Sequence, residues 1–183
     1  KLIEDLIEAS KASTGNLAVH LEKLEAGVSV VQIVGEFEDK LNAADLTLLI
    51  QKPETPVYVM ADGRHFWRVI DNLMNNICKY AQPGTRVYVD LRENGGQVEL
   101  IFRNTSRYPL NISSEELMER FVRGDESRNT EGSGLGISIA KSLMELMGGS
   151  FMLYVDGDLF KVVLGFAQME EEKEPLDEDK SGK

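Results

Sequence analysis

One cysteine in 183 residues, Cys78, leaves no intramolecular disulfide to staple the fold. That is compatible with a reducing compartment without establishing one. Basic residues are scarce as well: 20 Lys+Arg stand against 31 Asp+Glu, a formal charge of −11. A protein that neutralises phosphates along a duplex needs the opposite balance, which argues against nucleic acid as the main partner. No apolar run approaches the ~18 residues a membrane-spanning helix needs, so no membrane contact is expected from this chain. There is no internal repeat, no His/Cys cluster with zinc spacing, and no Ser-His-Asp set for nucleophilic catalysis. The sequence opens at Lys1 with neither an initiator Met nor a signal-like stretch, and reads as a piece of a longer chain.

What is present is globular: 42% hydrophobic and 28% charged residues, in a length that suits one domain with a sizeable core. The charge is uneven. Glu170 to Lys183 holds seven acids and three bases, a net −4 that leaves −7 on the body. With almost nothing apolar to bury, residues 168–183 read as an acidic disordered tail, or alternatively as an acidic docking segment.

Periodicity places the elements. Lys1 to Ser13 carries Leu2, Ile3, Leu6, Ile7 and Ala9 on one stripe, the uncapped end of a longer helix, stopped by Gly15 and Asn16. Leu17, Val19 and Leu21 alternate as a short strand that includes His20. Ser29 to Leu41 has helical spacing, and Leu46–Ile50 and Val57–Met60 read as strands joined through Pro53 and Pro56. Asp62 is a plausible N-cap for a long amphipathic helix to Tyr80, with Val69, Ile70, Leu73 and Ile77 inward. Arg86–Arg92 and Val98–Arg103 form a hairpin over Asn94-Gly95-Gly96. A polar stretch from Asn104 to Gly134 contains one short helix, opened by the capping box Ser113-Ser114-Glu115-Glu116. Leu135–Met147 is helical and ends at Gly148-Gly149, and a last hairpin joins Ser150–Val155 to Leu159–Phe166. Trp67, Met144 and Met147 fit core faces of helices, and Cys78 reads as a small core hydrophobe. The expected class is α/β, a two-layer α+β sandwich: a mixed sheet of about five to seven strands with three main helices on one face.

Two constellations carry chemistry. In Asn72–Tyr80, NLMNNICKY, the residues Asn72, Asn76 and Lys79 are spaced i, i+4, i+7 and share one helical face. A carboxamide oxygen is a hard ligand for magnesium and an ammonium is a point charge for phosphate, so the face suits a magnesium–triphosphate. Tyr80 offers a ring on which a base can stack. A merely solvated face fits the same pattern equally well. The second is Glu131-Gly132-Ser133-Gly134-Leu135-Gly136, opening the helix that follows. Alternate glycines let backbone N–H groups and the positive helix end approach negative charge. Alone such a run is as consistent with a flexible loop; its place before an amphipathic helix favours phosphate.

In this order NLMNNICKY, a strand ending at Asn104, ERFVRGDESR (Glu119–Arg128) and GSGLGISIAKSLMELMGG resemble the ATP-binding catalytic domain of sensor histidine kinases. They correspond to its N box, first glycine box, F box and second glycine box, over roughly Gly15 to Phe166. The resemblance implies a catalytic domain at 15–167 with a lid at about 105–133, mobile without nucleotide. Residues 1–14 would be the end of a dimerisation and phosphotransfer helix. It implies ATP and Mg2+ as cofactors, with Asn76 on the metal and Asn72 supporting the phosphates. Lys79, Arg123, Arg128, Gly132, Ser133, Gly134, Leu135 and Gly136 would meet the phosphates, Ser133 and Leu135 through backbone N–H groups. Tyr80 and Asn104 would meet the base, and Phe121 would anchor the lid. A solvated face remains open for Arg123, Arg128 and Lys141.

The implied activity is ATP:protein-histidine phosphotransfer, with relay to a response-regulator aspartate. The implied setting is the cytoplasmic portion of a membrane-anchored homodimeric sensor. The phosphoacceptor histidine belongs upstream; His20 and His65 read as ordinary surface or half-buried residues. One departure is Asn104-Thr105-Ser106, where the family has Asp-x-Gly-x-Gly. A neutral acceptor is weaker than a carboxylate, so weaker adenine affinity, or help from Ser106, is expected. That box also supports the alternative of a non-catalytic nucleotide-binding or regulatory module. A related ATPase would need a base one turn before the metal asparagine, where Asn72 has no useful basicity.

Overall fold

In the computed structural model the residues described are 10–11, 17–110, 113–123 and 135–169. Their elements, in chain order, are β1 (Glu22–Glu25), α1 (Ala26–Gly35), α2 (Glu38–Ala43), β2 (Leu46–Gln51), β3 (Tyr58–Ala61) and α3 (Gly63–Tyr80). Then come β4 (Thr85–Asn94), β5 (Gln97–Thr105), α4 (Ser114–Arg123), α5 (Gly136–Leu146), β6 (Ser150–Asp156) and β7 (Leu159–Ala167). Five strands form one mixed sheet in the order β2-β4-β5-β7-β6, parallel at β2–β4 and antiparallel elsewhere. β1 and β3 form a separate antiparallel pair.

Strand alternation sets the layers. Val87, Val89, Leu91, Val98, Leu100, Phe102, Val162 and Leu164 are buried, while Arg86 and Arg92, flanking the buried run of β4, are exposed. Against that face lies α3, whose Phe66, Val69, Ile70, Leu73, Met74 and Ile77 recur at helical spacing and are all buried. Ile137, Ile139, Ala140, Leu143 and Met144 of α5 join the same core. Each such large side chain contributes roughly 1.5–3 kcal/mol when taken from water. The Phe66 and Phe166 rings meet at 5.6 Å. The opposite sheet face is not bare: Asp90 is buried in an ion pair with Arg103, whose guanidinium also lies over the Tyr88 ring.

Several expected features occur where the sequence places them. Asp62 caps α3, and Ser113 Oγ accepts from the Glu116 N–H at 3.1 Å to open α4. Gly95 and Gly96 have φ of 58° and 82° in the β4–β5 turn, a geometry open to glycine.

Other features differ. Residues 17–21 are not a strand; pairing starts at Glu22, opposite Ala61, so His20 lies ahead of β1. The helix expected over 29–41 starts earlier, because the Glu25 carboxylate accepts from the Gly27 and Val28 N–H groups and caps it at Ala26. It also breaks at Glu36–Phe37, where a turn buries Phe37 and begins α2. β2 and β3, adjacent in sequence, enter different sheets. Trp67 is 38% exposed rather than core, and its ring N–H donates to Glu36 Oε2 at 3.4 Å. Met144 and Met147 are buried, and Cys78 packs half-buried against the core. Ser10 and Lys11 are helical; the rest of the helix expected at Lys1–Ser13, and the tail from Glu170, lie outside the described residues.

Candidate nucleotide site

The site is built where three elements meet around the C-terminal half of α3. Asn72 is 9% exposed, and Asn76, Lys79 and Tyr80 follow it half-buried along the same helix. The Lys79 Nζ stands 5.0 Å from the centre of the Tyr80 ring, a cation held over an aromatic face at the helix end.

The start of α5 closes on Asn72. A Cβ added to Gly136 would lie 3.2 Å from Asn72 Oδ1, so a glycine is what lets the α5 N-terminus come this near. Leu135, just before it, is buried and its carbonyl accepts from Ile139 N–H at 2.9 Å.

The third element is the end of β5. Asn104 is 4% exposed, its Nδ2 donating to the Thr105 carbonyl at 3.3 Å. The chain beyond it crosses the end of α3. Gln82 N–H donates to Thr105 O at 2.9 Å, Arg107 N–H to Tyr80 O at 2.8 Å, and Ser106 N–H to Asp158 O at 2.7 Å. These bonds hold the segment that replaces the expected glycines against the end of α3, and with it Asn104 on the Tyr80 side. No local sequence pattern encodes this pairing, which depends on backbone groups alone.

Two polar atoms here are buried without a hydrogen-bond partner among the described residues: the donor Asn72 Nδ2 and the acceptor Asn104 Oδ1. Orphans of this kind cost about 1–3 kcal/mol each unless something occupies them.

Asp71, by contrast, is spent elsewhere. It pairs with Arg68 at 3.2 Å and accepts from Asn75 Nδ2 at 2.8 Å, while Lys40 Nζ donates to Asn75 Oδ1 at 3.1 Å. It is thus engaged on the side of α3 away from Asn72 and Asn76. Burial pushes the Cys78 thiol above its ordinary pKa, only partly offset by the Lys40 charge, so it is not an activated nucleophile. Lys141 pairs loosely with Glu145 at 3.9 Å on the α5 surface.

Arg123 is the last residue of α4, but its side chain and that of Phe121 lie outside the described set, as do Arg128, Gly132, Ser133 and Gly134 entirely. No group of three or more His, Cys, Asp or Glu among the described residues could hold a metal by itself.

The sequence profile of the histidine kinase-, DNA gyrase B- and HSP90-like ATPases matches residues 61–175. The probable sensor kinase SilS of Salmonella typhimurium is 25% identical over 93% of the chain and 35% of its own length. The chain spans about a third of the length of the curated relatives it matches. Among solved structures, the Acinetobacter baumannii histidine kinase AdeS superposes with TM-score 0.71 at 20% identity, over 92% of this chain and 77% of that one. The histidine kinase ThkA, in complex with the response regulator protein TrrA, superposes with TM-score 0.71 at 15% identity, over 92% and 46%.

Proposed function

The chain belongs to the histidine kinase-, DNA gyrase B- and HSP90-like ATPase family, and from that premise we propose that it is the ATP-binding catalytic domain of a sensor histidine kinase. It would donate the γ-phosphoryl of ATP to a histidine carried by a dimerisation and phosphotransfer domain, for relay to a response-regulator aspartate. The observation that carries the reading is that two candidate side chains, one on α3 and one at the end of β5, each keep a buried polar atom with no hydrogen-bond partner among the described residues: the donor Asn72 Nδ2 and the acceptor Asn104 Oδ1.

Each residue then has a task. Asn104 Oδ1 accepts from the exocyclic amino group of adenine, and Tyr80 packs on the base. Lys79 neutralises phosphate charge, and Asn72 donates to a phosphate oxygen. Asn76 supplies a hard oxygen to magnesium, whose chemistry is to offset charge on the transferring phosphoryl group. The glycines at 132, 134 and 136, with Ser133 and Leu135, would bring backbone N–H groups to the phosphates. Arg123 and Arg128 would reach them from the lid at 105–133. Such transfer needs positioning and electrostatics more than a covalent partner in the domain.

Hydrolysis is a poor alternative, because Asn72 cannot take a proton from water and Asp71 is tied to Arg68 and Asn75. The alternative of a non-catalytic nucleotide-binding or regulatory module is not favoured beside the matches to the ATPase family and to sensor kinases. No helix among the described residues is long and apolar enough to cross a membrane. A cytoplasmic, homodimeric parent is proposed from the family alone.

Displacement of a fluorescent ATP analogue tests the residue roles. Asn76→Ala is expected to remove the magnesium-dependent part of the affinity, and Lys79→Ala to weaken binding about tenfold with or without magnesium. Equal magnesium dependence in Asn76→Ala and the parent would sink the metal assignment.

A further inference from the structure

Two side chains at the start of α3 hold a segment that arrives from far away in sequence. Asp62 is only 2% exposed, yet its carboxylate collects three backbone N–H groups. Oδ1 accepts from Arg64 at 3.0 Å and His65 at 3.2 Å, which is helix capping. Oδ2 accepts from the His20 amide at 2.9 Å, and capping does not require that bond. The His65 ring makes a second tie to the same segment, with Nε2 3.0 Å from the Ala18 carbonyl oxygen. A carbonyl oxygen can only accept, so Nε2 carries the proton. The same nitrogen lies 4.0 Å from Asp62 Oδ2, and the ring side chain is 12% exposed.

These bonds extend the pairing of β1 with β3, where Glu22 stands opposite Ala61. Residues 18–25 therefore run fastened alongside 58–65, and 63–80 is one unbroken helix. From His65 to Asn76 that helix is a rod of about 16 Å. The segment before β1 is thus joined to the helix that carries Asn72, Asn76 and Lys79 by side-chain bonds as well as through the strand pairing.

We propose that Asp62 and His65 are positioning residues that lock the segment leading into the domain onto the nucleotide helix, so that the two move as one body. This rests on the reading of α3 as the nucleotide helix. Nucleotide bound at the far end of α3 then tightens the lock, and the lock favours nucleotide by the same factor.

The His20 amide is a built-in reporter, since its N–H is the group that Asp62 holds. Its hydrogen exchange is measured by NMR in the 183-residue protein, with and without magnesium and a non-hydrolysable ATP analogue, beside a calorimetric titration. In the parent, nucleotide is expected to slow this exchange about fivefold. His65→Ala should speed exchange about tenfold without nucleotide and erase the slowing with it. Nucleotide affinity should fall by no more than the lost coupling factor. His65→Gln, whose amide can still donate to Ala18, should restore both. His65→Leu keeps the volume without a donor and should behave as His65→Ala, which covers a folding defect in the latter. Undiminished nucleotide-linked slowing in His65→Ala and His65→Leu would overturn the proposal, as would no slowing in a parent that binds. A parent that shows no calorimetric binding would overturn the nucleotide reading itself.

Discussion

Asn104 illustrates how one atom can decide specificity. Its Nδ2 is occupied by Thr105, which leaves the buried Oδ1 as an acceptor suited to an amino group and not to a carbonyl. A carboxamide can rotate and present its donor instead, whereas a carboxylate can only accept. Asn104→Asp is therefore expected to raise the ratio of ATP to GTP affinity about tenfold, read by competitive displacement. An unchanged ratio would remove Asn104 from base recognition. Gly136 acts through space rather than chemistry. Gly136→Ala places a Cβ 3.2 Å from Asn72 Oδ1, so the carboxamide must shift. Nucleotide affinity should fall about tenfold, roughly 1.4 kcal/mol, while the melting temperature holds. A parallel loss of both would mean that Gly136 serves packing only. The i, i+4, i+7 face of Asn72, Asn76 and Lys79 was legible because helical period fixes it. The Gly136–Asn72 approach was not, because it joins positions sixty-four residues apart whose contact depends on how two helices pack.

At the scale of elements, α3 was legible from end to end: a capping aspartate, an apolar stripe, and a stop before Pro83-Gly84. The β4–β5 hairpin was legible through Asn94-Gly95-Gly96 for the same reason, that turn residues are local. The start of α1 was not. Glu25 is an uncommon cap, and its carboxylate also receives the Val57 N–H at 3.4 Å, a partner no local pattern reveals. Asp62 joins element to pH. Burial alone would raise its pKa; the His20 and His65 N–H bonds, the His65 charge and the Arg64 N–H outweigh it, and the net shift is below the ordinary 3.8. A carboxylate with a lowered pKa stabilises the fold at neutral pH, and that contribution is lost as pH falls through the lowered value. Asp62→Asn keeps one oxygen for the cap but loses the charge and the acceptor for the His20 N–H, and should therefore melt below the parent at about pH 7, by roughly 1 kcal/mol. The two melting curves should converge in acid below about pH 3.8. A gap that stays constant with pH would show that the charge contributes nothing.

For the whole molecule, periodicity and alternation predicted a mixed sheet of about five to seven strands packed with helices, and the five-stranded mixed sheet bears the sheet out. The separate β1–β3 pair was not legible, since strand partners are chosen by topology and not by local propensity. A chain of formal charge −11 that binds a polyanion must concentrate its few cations, and Lys79, Arg123 and Arg128 are the ones assigned that task. The lid proposed at 105–133 should lose amide exchange when magnesium and nucleotide arrive, measured by mass spectrometry. Unchanged exchange across it at saturation would contradict its closing over the phosphates. The binding of magnesium–ATP itself is tested most directly by calorimetric titration of the unmodified protein with a non-hydrolysable ATP analogue, with and without magnesium. Saturable one-site binding that strengthens with magnesium is the expected result. No heat at millimolar analogue, on the order of −4 kcal/mol or weaker, would contradict it.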